Sequence, residues 1–111
     1  MNSEFLPEAE EEFREATMYY ETKAPGVGVA FVAEVRRAVR WIIENPYAAV
    51  AVGGGIRSKI LNNFPYNILY SIEPDLILIV AVAHQKRRPR YWKARTKQVK
   101  ERKTPVYFET G

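Results

Sequence analysis

The chain has no cysteine, a single histidine, and no aliphatic run longer than Leu76 to Ala83, "LILIVAVA". Without cysteine there can be no disulfides, thiolate zinc sites or cysteine nucleophiles. One histidine and few clustered carboxylates argue against a protein-built metal centre, so no metal or other cofactor is expected. The aliphatic run is far too short to span a bilayer. The opening "MNSEFLPEAEEEF" is acidic where a secretory signal would carry positive charge. A cytoplasmic protein with no membrane contact is expected. Internal repeats and low-complexity segments are also lacking. At 111 residues the chain has the size of one domain.

What is present is a strong separation of charge. Residues 84–103 hold ten of the seventeen lysines and arginines and one acid, Glu101. Residues 4–15 hold six of the thirteen acids and one base, Arg14. A basic end on a small domain is an electrostatic footprint for nucleic acid or for an acidic protein partner.

The apolar pattern gives the architecture. A short edge strand is expected at "SEFL" (3–6). Pro7 suits the first turn of a helix, where Glu8, Glu10, Glu11 and Glu12 favour the positive end of its dipole. Ala9, Phe13, Ala16 and Tyr20 recur at helical spacing. "KAPGVG" (23–28) breaks that helix, and a second follows with Phe31, Val35, Val39 and Ile42 inward and Arg36, Arg37 and Arg40 outward. Pro46 ends it. "AAVAVGGG" (48–55) reads as a flexible connection. Three strands are expected next: "IRSKILNNF" (56–64), "YNILYSIE" (66–73) and "LILIVAVAH" (76–84). The last is apolar on both faces, as a central strand should be. In the first of them Ile56, Ile60 and Phe64 alternate with Arg57, Lys59 and Asn63. The expected fold is α+β in the order β-α-α-β-β-β. A helical hairpin packs on one face of a small twisted, mainly antiparallel sheet, and the opposite face presents Arg57 and Lys59. Residues 1–95 would form this domain and 96–111 a basic tail, disordered in part. Beyond Trp92, "KARTKQVKERK" could form a short, very basic helix, and "TPVYFETG" carries no pattern.

Taken in order, "PEAEEEFREATMYYE", "PGVGVAFVAEV", "RSKILNNFPYNILYSIE" and "LILIVAVAHQKRRPRYW" resemble the RelE/ParE superfamily of type II toxin–antitoxin toxins. The likeness covers roughly residues 4 to 95 and implies the same fold, together with a partner antitoxin and a toxin–antitoxin hetero-oligomer. The superfamily contains two activities. RelE-like members cut mRNA in the ribosomal A site, and ParE-like members poison DNA gyrase without ribonuclease residues.

For cleavage, a 2′-OH must be activated, a pentavalent phosphate stabilised and the leaving oxygen protonated, and cations serve the middle step. The resemblance assigns these tasks to Arg57 and Lys59 on one strand, Arg87 or Arg88 after the last strand, and Tyr91. Asn67 departs from the pattern, standing where RelE-like proteins carry a further arginine. His84 could act as acid or base, since an unperturbed imidazole titrates near pH 6.5. Each residue also has a structural alternative. His84 could simply order its loop, Arg57 and Lys59 could be a solvated strand side, and Trp92 could cap the core. Four of the five cleavage positions carry suitable residues, which tilts the reading toward a ribosome-dependent endoribonuclease. Gyrase inhibition is the alternative, and a non-toxic basic RNA-binding module the third. An acidic antitoxin segment is expected to contact Arg36, Arg37, Arg40, Tyr91 and Trp92.

Overall fold

The computed structural model describes residues 1–103, so the expectations for "TPVYFETG" lie outside the described residues. Pro7 opens helix α1 (Pro7–Lys23), with Glu8 and Glu10 in its first turn. Helix α2 (Val27–Glu44) follows a short break at which Gly26 adopts φ 89°. The two helices cross closely at Gly28. A side chain there would come within 2.8 Å of the Thr17 carbonyl oxygen and 2.9 Å of the Glu21 Cβ. The Glu21 carboxylate fastens the crossing by accepting the N–H groups of Gly26 and Gly28 at the start of α2. This satisfies donors that a helix start leaves without an intrahelical partner.

Under the hairpin lies one five-stranded sheet of β1 (Asn2–Phe5), β2 (Val50–Gly53), β3 (Ile56–Ile60), β4 (Tyr66–Glu73) and β5 (Leu76–His84). Its order is β1-β5-β4-β3-β2. Every neighbouring pair is antiparallel except β1 with β5, which runs parallel. This is the α+β arrangement expected from the sequence, with β5 beside the edge strand β1.

Two details differ from that expectation. "AAVAVGGG" is not merely a connection, because Val50–Gly53 within it forms β2 and pairs with β3. Gly53, Gly54 and Gly55 sit at φ 100°, 64° and 78° and turn the chain between the two strands. Such backbone angles suit glycine, so the glycines build a hairpin rather than a linker. The second difference concerns Arg57 and Lys59. They pair opposite Tyr70 and Ile68, alternating with Leu69. Tyr66, on the same face of β4, packs its ring 5.2 Å from Phe31 of α2. Arg57 and Lys59 therefore lie on the helix-covered side, not the opposite face. Conversely Ile60, read as a core position, is 56% exposed.

The pairing of β4 with β5 slips between Leu69 and Tyr70, so that Ala81 and Ile79 oppose them and Val80 is extra. This bulge inverts the alternation midway along β5. A strand buried on both faces tolerates that inversion because both parities are already apolar.

The core between helices and sheet is centred on Phe31, fully buried. Its ring lies 6.0 Å from Phe13, 5.2 Å from Tyr20, 5.1 Å from Phe64 and 5.2 Å from Tyr66. Beside it the buried Glu34 carboxylate accepts the backbone N–H groups of Asn62 and Asn63 and the Asn63 side-chain amide. Burial by itself would raise its pKa, but these bonds hold it below the usual value. They also fix the β3–β4 loop to α2.

Candidate functional site

Both basic residues of β3 are engaged locally. Arg57 donates to the carbonyl oxygens of Tyr47 (3.0 Å) and Ala49 (2.8 Å). Its guanidinium lies 5.5 Å from the centre of the Tyr47 ring. Lys59 places its Nζ 4.3 Å from the Trp41 ring centre, a cation–π contact with α2. These partners belong to α2 and the segment after it, and none to residues 84–92.

The other expected site residues gather at the far end of β5. His84 Nδ1 accepts the Lys86 N–H at 3.0 Å, and its ring stands edge-on to Tyr66 at 5.0 Å. Arg87 stacks over Tyr91 at 3.9 Å. The Tyr91 hydroxyl is not open to a substrate, because it donates to Glu12 Oε2 at 2.7 Å. Arg95 also meets Glu12, donating through Nη1 to Oε1 at 2.9 Å and through Nη2 to Oε2 at 2.8 Å.

The sheet explains why these groups collect there. β1 ends at Phe5, with one more bond from the Leu6 N–H to the Ile79 oxygen. Beyond it, the β5 edge has no strand neighbour among the described residues. Arg95 donates to the Val80 oxygen at 3.1 Å, and Glu12 accepts the Val82 N–H at 3.0 Å. An ion pair thus closes the edge around the bulge. The chain continues through a single 3₁₀ turn (Lys93–Arg95) into helix α3 (Thr96–Lys103). Gln98 donates to Glu8 at 2.6 Å, and Val99 is buried with the core.

Neither Glu12 nor Arg95 was singled out from the sequence. Glu12 was legible in principle, since it lies on the same helical stripe as Ala9, Phe13 and Ala16. An acid on an apolar face asks for a partner. Arg95 carries no comparable signal within its basic run.

Burial, then the hydrogen bond and charge of Glu12, push the Tyr91 hydroxyl well above the usual tyrosine range. For Arg95, burial would lower the pKa, but Glu12 outweighs it and keeps the guanidinium charged. A folded pKa raised above an unfolded value near 10 means that the native state retains the proton longer. The stabilising contribution is then complete below about pH 10 and lost as pH rises toward the folded value. Tyr20, Tyr66 and Tyr70 are shifted the same way, burial being the leading cause. Urea titrations should show stability falling above about pH 10, with a shallower fall in Tyr91→Phe. An identical slope in both would contradict the placement of this hydroxyl.

Between the β2–β3 hairpin and the loop after β5 is a cleft of about 320 Å³. Ser58, Asn67 and Leu69 line it on one side and Arg87, Arg88 and Arg90 on the other. Asn67 accepts from the Gln85 side-chain amide at 3.1 Å. Arg90 has φ 61°, the one non-glycine residue with positive φ among the described residues. Its Nη2 lies 3.2 Å from where a side chain on Gly53 would begin.

Residues 4–89 match the family model described as "ParE toxin of type II toxin-antitoxin system, parDE". The chain belongs to the ParE toxin family. A solved structure, "Chromosomal ParDE TA system from P. aeruginosa", matches at 16% identity with a TM-score of 0.66. The alignment covers 76% of this chain and 95% of that one, a likeness of fold. No curated protein matches the sequence. Among the described residues, no helix of this ParE-family chain is long and apolar enough to cross a membrane.

The arginines of α2 occupy two different surfaces of this ParE-family fold. Arg36 and Arg40 are exposed and line a groove of about 410 Å³ floored by Phe5, Phe13 and Val39. Arg37 is turned instead to a depression with Trp41 and Lys59. Trp92 is 5% exposed, so it belongs to the core and offers an antitoxin little surface.

Proposed function

We propose that this chain is the toxin of a toxin–antitoxin pair and acts on DNA gyrase as a binding inhibitor, without cutting mRNA. The observation that carries this reading is the dispersal of the residues cleavage would need. Arg57 and Lys59 are held against α2 and its following loop, while Arg87, Arg88 and Tyr91 lie at the end of β5. The Tyr91 hydroxyl is bonded to Glu12, and Asn67 supplies no charge. Electrostatic stabilisation of a phosphorane needs donors converging on one point. A binding inhibitor needs only a complementary surface, which the exposed cations at residues 86–90 supply.

The test is to add the purified protein separately to a gyrase supercoiling reaction and to a reconstituted translation reaction. Supercoiling should stop, and mRNA should remain intact on the ribosome. Ribosome-dependent cuts that vanish in Arg57→Ala/Lys59→Ala/Arg87→Ala would establish cleavage instead.

Membership of this family brings with it a cognate antitoxin. The separated arginines of α2 favour an acidic segment that follows the groove beside Arg36 and Arg40. Arg36→Ala/Arg40→Ala should weaken antitoxin binding at least about tenfold in a titration at physiological salt. Unchanged affinity would place the contact elsewhere.

A further inference from the structure

We propose that the cleft between the β2–β3 hairpin and the loop after β5 binds the phosphodiester backbone of duplex DNA, so that the toxin grips gyrase through its DNA as well as its protein surface. The inference rests on the gyrase reading above and names what this basic end touches.

The chemistry of the lining points to phosphate. Arg87, Arg88 and Arg90 form one side, no carboxylate lines the cleft among the described residues, and Ser58, Asn67 and Gln85 add uncharged hydrogen-bonding groups beside apolar Val52 and Leu69. Arginine forks suit phosphate oxygens because the planar guanidinium donates two parallel bonds. Two of the three forks are already positioned. Arg87 is stacked on Tyr91, and Tyr91 is fixed to Glu12. Arg90 is held in a left-handed backbone conformation that side chains rarely adopt, with its guanidinium directly over Gly53. Backbone strain of this kind persists only where the surroundings over-determine it, and it recurs at ligand clamps. Here glycine at position 53 leaves the space the guanidinium fills. Two neighbouring loops thereby present fixed cations around one cleft.

An acidic protein segment could also be drawn to this charge. Duplex DNA is favoured because three arginines with planar forks line one cleft and two of those forks are held at set positions.

The experiment measures binding of the purified toxin to a fluorescein-labelled 20-base-pair duplex across a series of salt concentrations. Arg88→Ala/Arg90→Gly is the test variant; glycine relieves the strained backbone while removing the fork. Arg14→Ala, an exposed cation on α1 paired with Glu11, is the control. Each phosphate contact contributes about 0.9 to the slope of log affinity against log salt. The test variant should lose about 1.8 of that slope and at least about tenfold in affinity, and the control should change neither. No binding to the duplex at low salt, or equal binding by wild type and test variant, overturns the proposal. So does a test variant that keeps its affinity for DNA but loses that for the antitoxin, or tighter binding to a matched RNA duplex. A thermal melt of the variant verifies folding; should it be impaired, Arg88→Glu alone must produce the same loss of DNA binding. Supercoiling assays separate the two readings. DNA binding without gyrase inhibition removes the gyrase reading, and gyrase inhibition without DNA binding removes this one.

Discussion

Glu12→Ala should destabilise the fold by about 3 kcal/mol, out of a total of about 5–15 for a domain of this size. The carboxylate receives the Val82 N–H, the Tyr91 hydroxyl and both terminal nitrogens of Arg95. Removing it leaves a guanidinium only 15% exposed without its counter-charge, next to a strand edge without its acceptor. Removing one partner of a buried pair costs far more than replacing both, because the remaining charge has no compensation. Residual exposure at both side chains places the effect at the lower end of the range for such pairs. Urea denaturation gives the loss directly. The double variant Glu12→Ala/Arg95→Met should be no less stable than Glu12→Ala, and a double-mutant cycle will show strong coupling. Native-state hydrogen exchange of α3 should rise in the single variant, since Arg95 anchors the segment that leads into it. A loss below about 1 kcal/mol would mean that water serves these groups as well as Glu12 does.

The second large effect is expected at Phe31. Phe31→Ala should cost about 3–5 kcal/mol, the range for emptying a buried aromatic site. Phe31 is fully buried, and its neighbours come from both layers: Phe13 and Tyr20 from α1, Tyr66 from β4 and Phe64 from the loop before it. Such a site cannot collapse easily, because closing the cavity requires the hairpin and the sheet to move together. Phe31→Leu, which refills much of the volume, should lose distinctly less. Equal losses for the two variants would show that edge contacts between rings, rather than filled volume, hold this junction.

The sequence makes the layers legible because their signals are redundant. The stripe Ala9, Phe13, Ala16 and Tyr20, the break at Pro25–Gly26 and the doubly apolar β5 all agree with one another. The side of the sheet that the helices cover was harder to read. β3 carries isoleucines on one parity and cations on the other, and alternation alone favours cations facing solvent. In the structure the cations reach the margin of the helix layer, where carbonyls and the Trp41 ring receive them, while Ile56 is buried on the opposite face. Long side chains at a sheet edge can emerge from under a helix, so polarity does not fix their face. β2 was missed because three glycines usually mark a loose connection, whereas here their positive φ angles form a turn. The site was less legible for a different reason. Its organising residue, Glu12, is an acid among many acids of the first helix, and its partners are seventy and more residues away. No local pattern encodes such a meeting.

The parallel pairing of β1 with β5 has a consequence for how the toxin comes into being. Seventy-four residues separate Asn2 from Leu76, its partner across the sheet. The first strand made during synthesis must therefore wait for the last. Until β5 emerges, the nascent chain can form its helical hairpin and then the β2–β3–β4 meander, but not a closed sheet, because β5 stands between β4 and β1. Contacts so distant in sequence are slow to form and come late. A fragment interrupted before Leu76 has neither β5 nor the arginines beyond it, so translation that stops early cannot complete the sheet.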